Sequence, residues 1–160
     1  MRHRLRQFAE AARPPSEADF TLARAQLPES LLALFLAQHP RDIAHSAATA
    51  RWLVQRGHDD PDLVAAALLH DVGKGPQRRR DRVAFVVAAS VGLANAAGSE
   101  RSRFEMRRAV ERTARHAEAG ALALAAAGAS ERVVYLARNH HASPALDPVL
   151  ALLQQADDAT

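Results

Sequence analysis

Ala66-Ala67-Leu68-Leu69-His70-Asp71-Val72-Gly73-Lys74 decides how this chain reads. The apolar run begins at Val64 and ends on a histidine followed directly by an aspartate. An ionised aspartate beside a buried helix end is costly unless a cation or a hydrogen-bond donor compensates it. Two readings of Asp71 stand level on these residues alone: a ligand for a cation, or a cap on a local turn with Gly73. The glycine-flanked Lys74 tips the balance towards a site. It is the only lysine among 21 basic residues, in a chain that otherwise uses arginine for positive charge.

Outward from this stretch the pattern is helical. Alanine and leucine recur at helical spacing, and no useful length alternates with period two. Pro14-Pro15 ends an arginine-rich arm, residues 1–15, and residues 16–160 read as one domain. Ser16-Glu17-Ala18-Asp19 resembles a helix start. Pro28 opens a helix over Glu29 to Gln38, and Pro40 opens one to about Arg56, stopped by Gly57. Asp60-Pro61 caps the helix Asp62 to Leu69, which Gly73 and Gly75 end. Further helices are expected over Arg82 to Ala97, over Arg103 to Ala127 with a break near Gly120, from Ser130 to His140-His141, and from Asp147-Pro148 to Asp157. Arg78 to Arg82 reads as a solvated turn or a helix entry. The expected fold is all-α: a single bundle of about seven to eight helices.

A chain of 160 residues can bury roughly 70% of its unfolded surface, enough for a core without covalent staples. There is no cysteine, which excludes disulfides, zinc-thiolate sites and thiol nucleophiles. Any metal must be held by histidine and carboxylate. The amino-terminal arm lacks the apolar core of a signal peptide. The longest apolar stretch, Val83 to Ala97, falls short of the ~20 residues that span a bilayer. A soluble, cytoplasmic protein without membrane contact is expected. The net charge of +3 and pI of about 10.4 reflect arginine nearly balanced by 18 acidic residues. With one Trp, one Tyr and five Phe there is little for bases to stack on, so nucleic-acid binding is not expected.

Eight histidines occur. His3, His39 and His58 lie beside polar residues and read as solvated. His45, His70, His116, His140 and His141 lie on or at the ends of helices among small or apolar neighbours. His116, taken alone, reads equally well as a packed residue or a ligand. His140-His141 closes a helix, where a cationic histidine can interact favourably with the helix C-terminus. That accounts for one histidine better than for two. Asp157 ends the apolar run from Val149 to Ala156. The face of Val149, Leu150, Leu153 and Ala156 turns Asp157, rather than Asp158, towards the core, unless both simply end the chain in water.

His45, then His70-Asp71-Val72-Gly73-Lys74, then His116, His140-His141 and Asp157 together resemble the HD-domain superfamily of metal-dependent phosphohydrolases. The resemblance runs from about Leu27 to the last residue. It is closest to the HD-[IV]-G-K form with a downstream double histidine, associated with two-metal sites and including cyclic-dinucleotide phosphodiesterases. It implies one ion on His45, His70, Asp71 and Asp157, and a second on His116, His140 and His141, with Asp71 bridging. It implies a metal-activated water as nucleophile and Lys74 on a phosphate oxygen, making Asp71 and Lys74 the catalytic pair. Imidazole and carboxylate donors suit one or two divalent ions, iron or manganese first, with nickel, cobalt, zinc or magnesium as alternatives. The implied substrate is a small phosphorylated molecule, nucleotide-like, cleaved at a phosphomonoester or phosphodiester. A di-iron oxygenase on the same fold and a non-catalytic nucleotide-binding regulatory module are the alternatives. Three features depart from the pattern: no Gly-Tyr-Pro signature follows, Arg41 stands where an extra carboxylate ligand can lie, and the span from Asp71 to His116 is long.

Overall fold

The computed structural model describes residues 14–74, 115–145 and 147–160, and every described element is helical. Seven α-helices follow in order among the described residues: α1 (Glu17–Gln26), α2 (Glu29–Leu36), α3 (Pro40–Val54), α4 (Pro61–Leu69), α5 (His116–Ala126), α6 (Glu131–Asn139) and α7 (Pro148–Ala159). A single 3-10 turn, Val72–Lys74, follows α4. The expected helix Arg82 to Ala97, the charge run Arg78 to Arg82 and most of the amino-terminal arm lie outside the described residues.

The helix starts follow the side chains that can satisfy the first turn. Asp60 accepts from the Leu63 N–H, Ser130 from Val133 and Asp147 from Leu150. Each takes up a backbone donor that the helix itself leaves unpaired. Pro61 and Pro148 occupy first-turn positions, where a missing N–H costs nothing. Gly57 and Gly128, with φ of 80° and 83°, take the left-handed conformation just beyond α3 and α5.

The core forms around α4. Leu63, Val64, Ala65, Ala66, Ala67, Leu68 and Leu69 are all buried, so this helix is apolar on every side. Such a helix is stable only when surrounded. Here α1, α2, α3, α6 and α7 pack against it, contributing Ala23, Leu31, Phe35, Leu53, Leu136 and Leu153 to one cluster. The C-terminus of this central helix carries His70 and Asp71, so the core delivers both into the middle of the molecule.

One expectation is corrected. Gly120 does not break a helix: α5 runs through it from His116 to Ala126. Its role is steric. The 3-10 turn after Asp71 packs against α5, and Gly73 meets the backbone of His116 and Gly120. A Cβ on Gly73 would lie 1.9 Å from the His116 carbonyl oxygen, and one on Gly120 would lie 3.1 Å from the Gly73 nitrogen. A glycine inside a helix costs ~1 kcal/mol against alanine, and this one is retained where two backbones touch.

Away from the histidines, α1 is tied to α3 by a buried ion pair. The Asp19 carboxylate is fully buried and accepts from the Ser16 N–H, the Ser16 hydroxyl and the Arg51 guanidinium. Burial pushes the Asp19 pKa up, but these donors outweigh it and leave it below the usual carboxylate value. A depressed carboxylate contributes stability above its unfolded pKa of about 3.9, and that stability is lost as pH falls through the folded value. Asp19→Ala therefore lowers the unfolding free energy at pH 7 by roughly 1–3 kcal/mol, since Arg51 and Ser16 lose their acceptor. Denaturant titrations of both proteins should show this gap narrowing below about pH 4. A gap that persists unchanged into acid would mean that Asp19 acts by packing alone.

Candidate metal centre

Five histidine side chains and two carboxylates converge where α3, α4, α5, α6 and α7 meet. His45 comes from the middle of α3, His70 and Asp71 from the end of α4, and His116 from the first turn of α5. His140 and His141 follow α6, and Asp157 lies near the end of α7. The structure thus brings together all seven residues proposed as ligands. His39 lies apart as the N-cap of α3, and Asp158 is exposed.

His70 and His140 are fixed by the same local device. Each follows the last residue of a helix and turns its Nδ1 back on the carbonyl three residues earlier, Ala67 at 3.0 Å and Ala137 at 2.7 Å. A carbonyl can only accept, so Nδ1 carries the proton and Nε2 is presented inwards. Orientation through the second ring nitrogen is typical of metal-binding histidine.

The Nε2 atoms fall into two groups joined by Asp71. His45 Nε2 and His70 Nε2 lie 2.8 and 3.4 Å from Asp157 Oδ1, and His70 Nε2 lies 3.6 Å from Asp71 Oδ2. On the other side, His116 Nε2 is 3.2 Å from the Nε2 atoms of both His140 and His141. Asp71 Oδ1 approaches His116 Nε2 at 3.3 Å and His140 Nε2 at 3.9 Å. The two oxygens of one carboxylate therefore face different histidine groups. Ligand atoms of His45, His70 and Asp71 lie within 4.8 Å of one another, as do those of His116, His140 and His141.

The electrostatics follow from burial. Asp71 is 1% exposed, which alone would raise its pKa; His70, His116 and Lys74 outweigh this and hold it well below the usual value. Burial also disfavours a charged His70, yet Asp71 and Asp157 pull its pKa up to about 9. His140 moves the other way, down to about 3, through burial and the positive charge on His70 and His141. His141 is lowered by burial and by His116. A cationic histidine stabilising a helix end is thus not what His140 provides; it is held neutral, as a ligand must be. Asp157 is depressed: burial opposes this, but the hydrogen bond with His45 and the nearby charge of His70 prevail.

Whether these residues suit a cation can be judged from what they leave unsatisfied. His70 Nε2 and Asp71 Oδ1 are both buried without a hydrogen-bond partner. Such orphaned polar atoms are rare and costly unless something joins them. His116 Nε2 is 3.2 Å from the Nε2 atoms of both His140 and His141 and has at most one proton to share between them, whereas a cation takes a lone pair from all three. The donor set fits divalent metal ions.

A family model described as HD domain matches residues 36–159. The chain belongs to the HD domain family. HD domains bind divalent metals and are usually metal-dependent hydrolases, and the His/Asp groups here are compatible with that chemistry. Neither a curated protein nor a solved structure matches the chain. Among the described residues, no helix is long and apolar enough to cross a membrane.

Lys74 sits in the 3-10 turn with its ammonium on Asp71 Oδ2. The cation expected to meet a phosphate thus also neutralises the carboxylate between the two histidine groups. Two features of this HD domain went unread in the sequence. Neither the Gly73–Gly120 contact nor the Ala67 and Ala137 carbonyl clamps leaves a side-chain signature; the one available hint was a glycine inside an alanine-rich helix.

Gly73→Ala should separate the 3-10 turn from α5 and pull Asp71 away from His116. Metal retention should fall together with a stability loss of roughly 1–3 kcal/mol, while Gly120→Ala, with a Cβ contact of 3.1 Å, is milder. Normal metal content in Gly73→Ala would refute the coupling. A second comparison tests α7: Asp157→Asn should reduce retained metal, and Asp158→Asn should leave it at the wild-type level. Equal losses would remove the distinction between them.

Proposed function

We propose that this HD domain is a phosphohydrolase acting on a small, nucleotide-like phosphoester at a two-metal site. The observation that carries the reading is the Asp71 carboxylate, whose two oxygens face separate histidine groups. His45, His70, Asp71 and Asp157 would hold one ion, and His116, His140 and His141 the other, with Asp71 shared. Iron or manganese suits these nitrogen and oxygen donors best. When bound, such ions supply positive charge at phosphoryl oxygens and lower the pKa of water, which makes a serine or cysteine nucleophile unnecessary.

The chain's own residues then have separable tasks. The Ala67 and Ala137 carbonyls hold two imidazoles in one tautomer, so that no reorientation accompanies loading. Asp157 orients His45 through the 2.8 Å contact. Lys74 offers a compact ammonium beside Asp71, where a transferring phosphoryl group gains charge. A guanidinium is wider and planar, and it fills the same turn differently. The proposed setting is cytoplasmic, with no membrane or nucleic-acid partner; the domain proper comprises residues 16–160.

The test combines metal analysis with turnover. Protein purified without chelator and reconstituted with manganese or iron should approach two ions per chain and release phosphate or nucleotide from a phosphoester panel. Asp71→Ala should lose both properties while keeping its helical signal. Its rate loss should exceed the ~10–100-fold typical of residues that only orient ligands. Lys74→Arg should keep its metal and lose roughly 10- to 100-fold in turnover, as expected for a displaced positioning charge. A mixed-valence di-iron signal without phosphoester cleavage would overturn the hydrolase reading in favour of oxygenase chemistry.

A further inference from the structure

Beside His45 on α3 lies a cavity of about 510 Å³. Its size falls in the ~300–1,000 Å³ range of small-molecule sites. It is lined along one face of α3 by His45, Ala48, Trp52 and Gln55, with Ala44 and Arg51 beside them. Ser16, Ala18, Ala159 and Thr160 close it. His45 belongs to both places: its Nε2 meets Asp157 in the metal centre, and the residue is part of the cavity lining.

The lining is graded along the helix. With a rise of 1.5 Å per residue, Trp52 lies about 10 Å beyond His45 along the axis, and Gln55 about 15 Å. Ala48 between them, with Ala44 next to His45, leaves a shallow floor. Trp52 is held by the Arg56 guanidinium, 3.9 Å from its ring centroid, so a flat apolar surface is set in place before any ligand arrives. Gln55 is exposed, and its side-chain amide carries both a donor and an acceptor. Arg51 is partly neutralised by Asp19, so this end of the cavity is polar without being a strong anion site.

We propose that this cavity is the specificity pocket for the alcohol half of the substrate, and that it takes a planar heteroaromatic group against Trp52, read by Gln55. The proposal rests on the hydrolase reading for its phosphate end. A phosphoryl group among the seven ligands would direct its ester oxygen past His45, along the alanine floor, towards the indole. Ala48 is the gate, because any larger side chain there intrudes between His45 and Trp52.

Ala48→Leu is the test, with Trp52→Leu as a second variant if the first folds poorly. Metal-reconstituted protein is assayed on a purine nucleoside monophosphate and on ethyl phosphate, which lacks a planar group. The ratio of kcat/KM for the nucleotide over ethyl phosphate should fall about tenfold or more in each variant, within the range that hydrophobic pockets discriminate. An unchanged ratio would overturn the pocket, whether or not both rates drop. A separate arm uses adenosine, with no phosphate, and follows the fluorescence of Trp52, the chain's one tryptophan. Saturable quenching in the wild type that is lost in Ala48→Leu supports the pocket even if no phosphoester is hydrolysed; no quenching overturns it. Failure to hydrolyse any ester, with quenching intact, would instead count against the hydrolase reading alone.

Discussion

A carboxylate with almost no access to water, at the end of a helix buried along seven consecutive residues, is the constraint to which the other parts respond. Asp71 is not neutralised by taking up a proton. Its environment favours the charged form, through His70, His116 and Lys74. The structure gathers cations and imidazoles around one buried negative charge, and the helices are arranged so that each can reach it. Removing any one contributor leaves an uncompensated charge in a low-dielectric interior, a far larger penalty than the loss of a surface contact.

The second requirement is proximity. A carboxylate can bridge two groups of ligands only if the turn that carries it comes close to the helix that carries His116. Two glycines permit that approach. They leave the backbone at residue 73 against the backbone at residues 116 and 120, without an intervening side chain. The site's geometry is therefore set by main-chain contact rather than by flexible side chains, a precise way to fix distances among ligands.

Much of this was legible in the chain as letters. The helical class, the cap at Asp60, the helix starts at Ser130 and Asp147, and the buried run ending at His70 follow from local chemistry, which spacing and residue type display directly. The placement of five histidines at one centre was legible only through their order and the HD pattern, because helix periodicity says which face a residue occupies but not which helix it faces. Gly120 was misread for the same reason. A glycine within a helical pattern is locally a weakness, and its use appears only when a second backbone is laid against it. The Asp19–Arg51 pair went unnoticed because surface and buried ion pairs look alike in sequence, and only tertiary packing separates them.

The contact between His45 and Asp157 joins residues 112 positions apart. Few contacts in a helical domain close so long a loop, and chain entropy rises only slowly with loop length, so the cost of such a closure is modest once the helices are packed. An ion held between α3 and α7 would act as a clasp on the whole fold, as a disulfide does in cysteine-bearing proteins. Unlike a disulfide, it opens and closes with metal supply. The persistence of the folded chain would then rise with the free concentration of the ion, and metal supply would set how long the protein lasts.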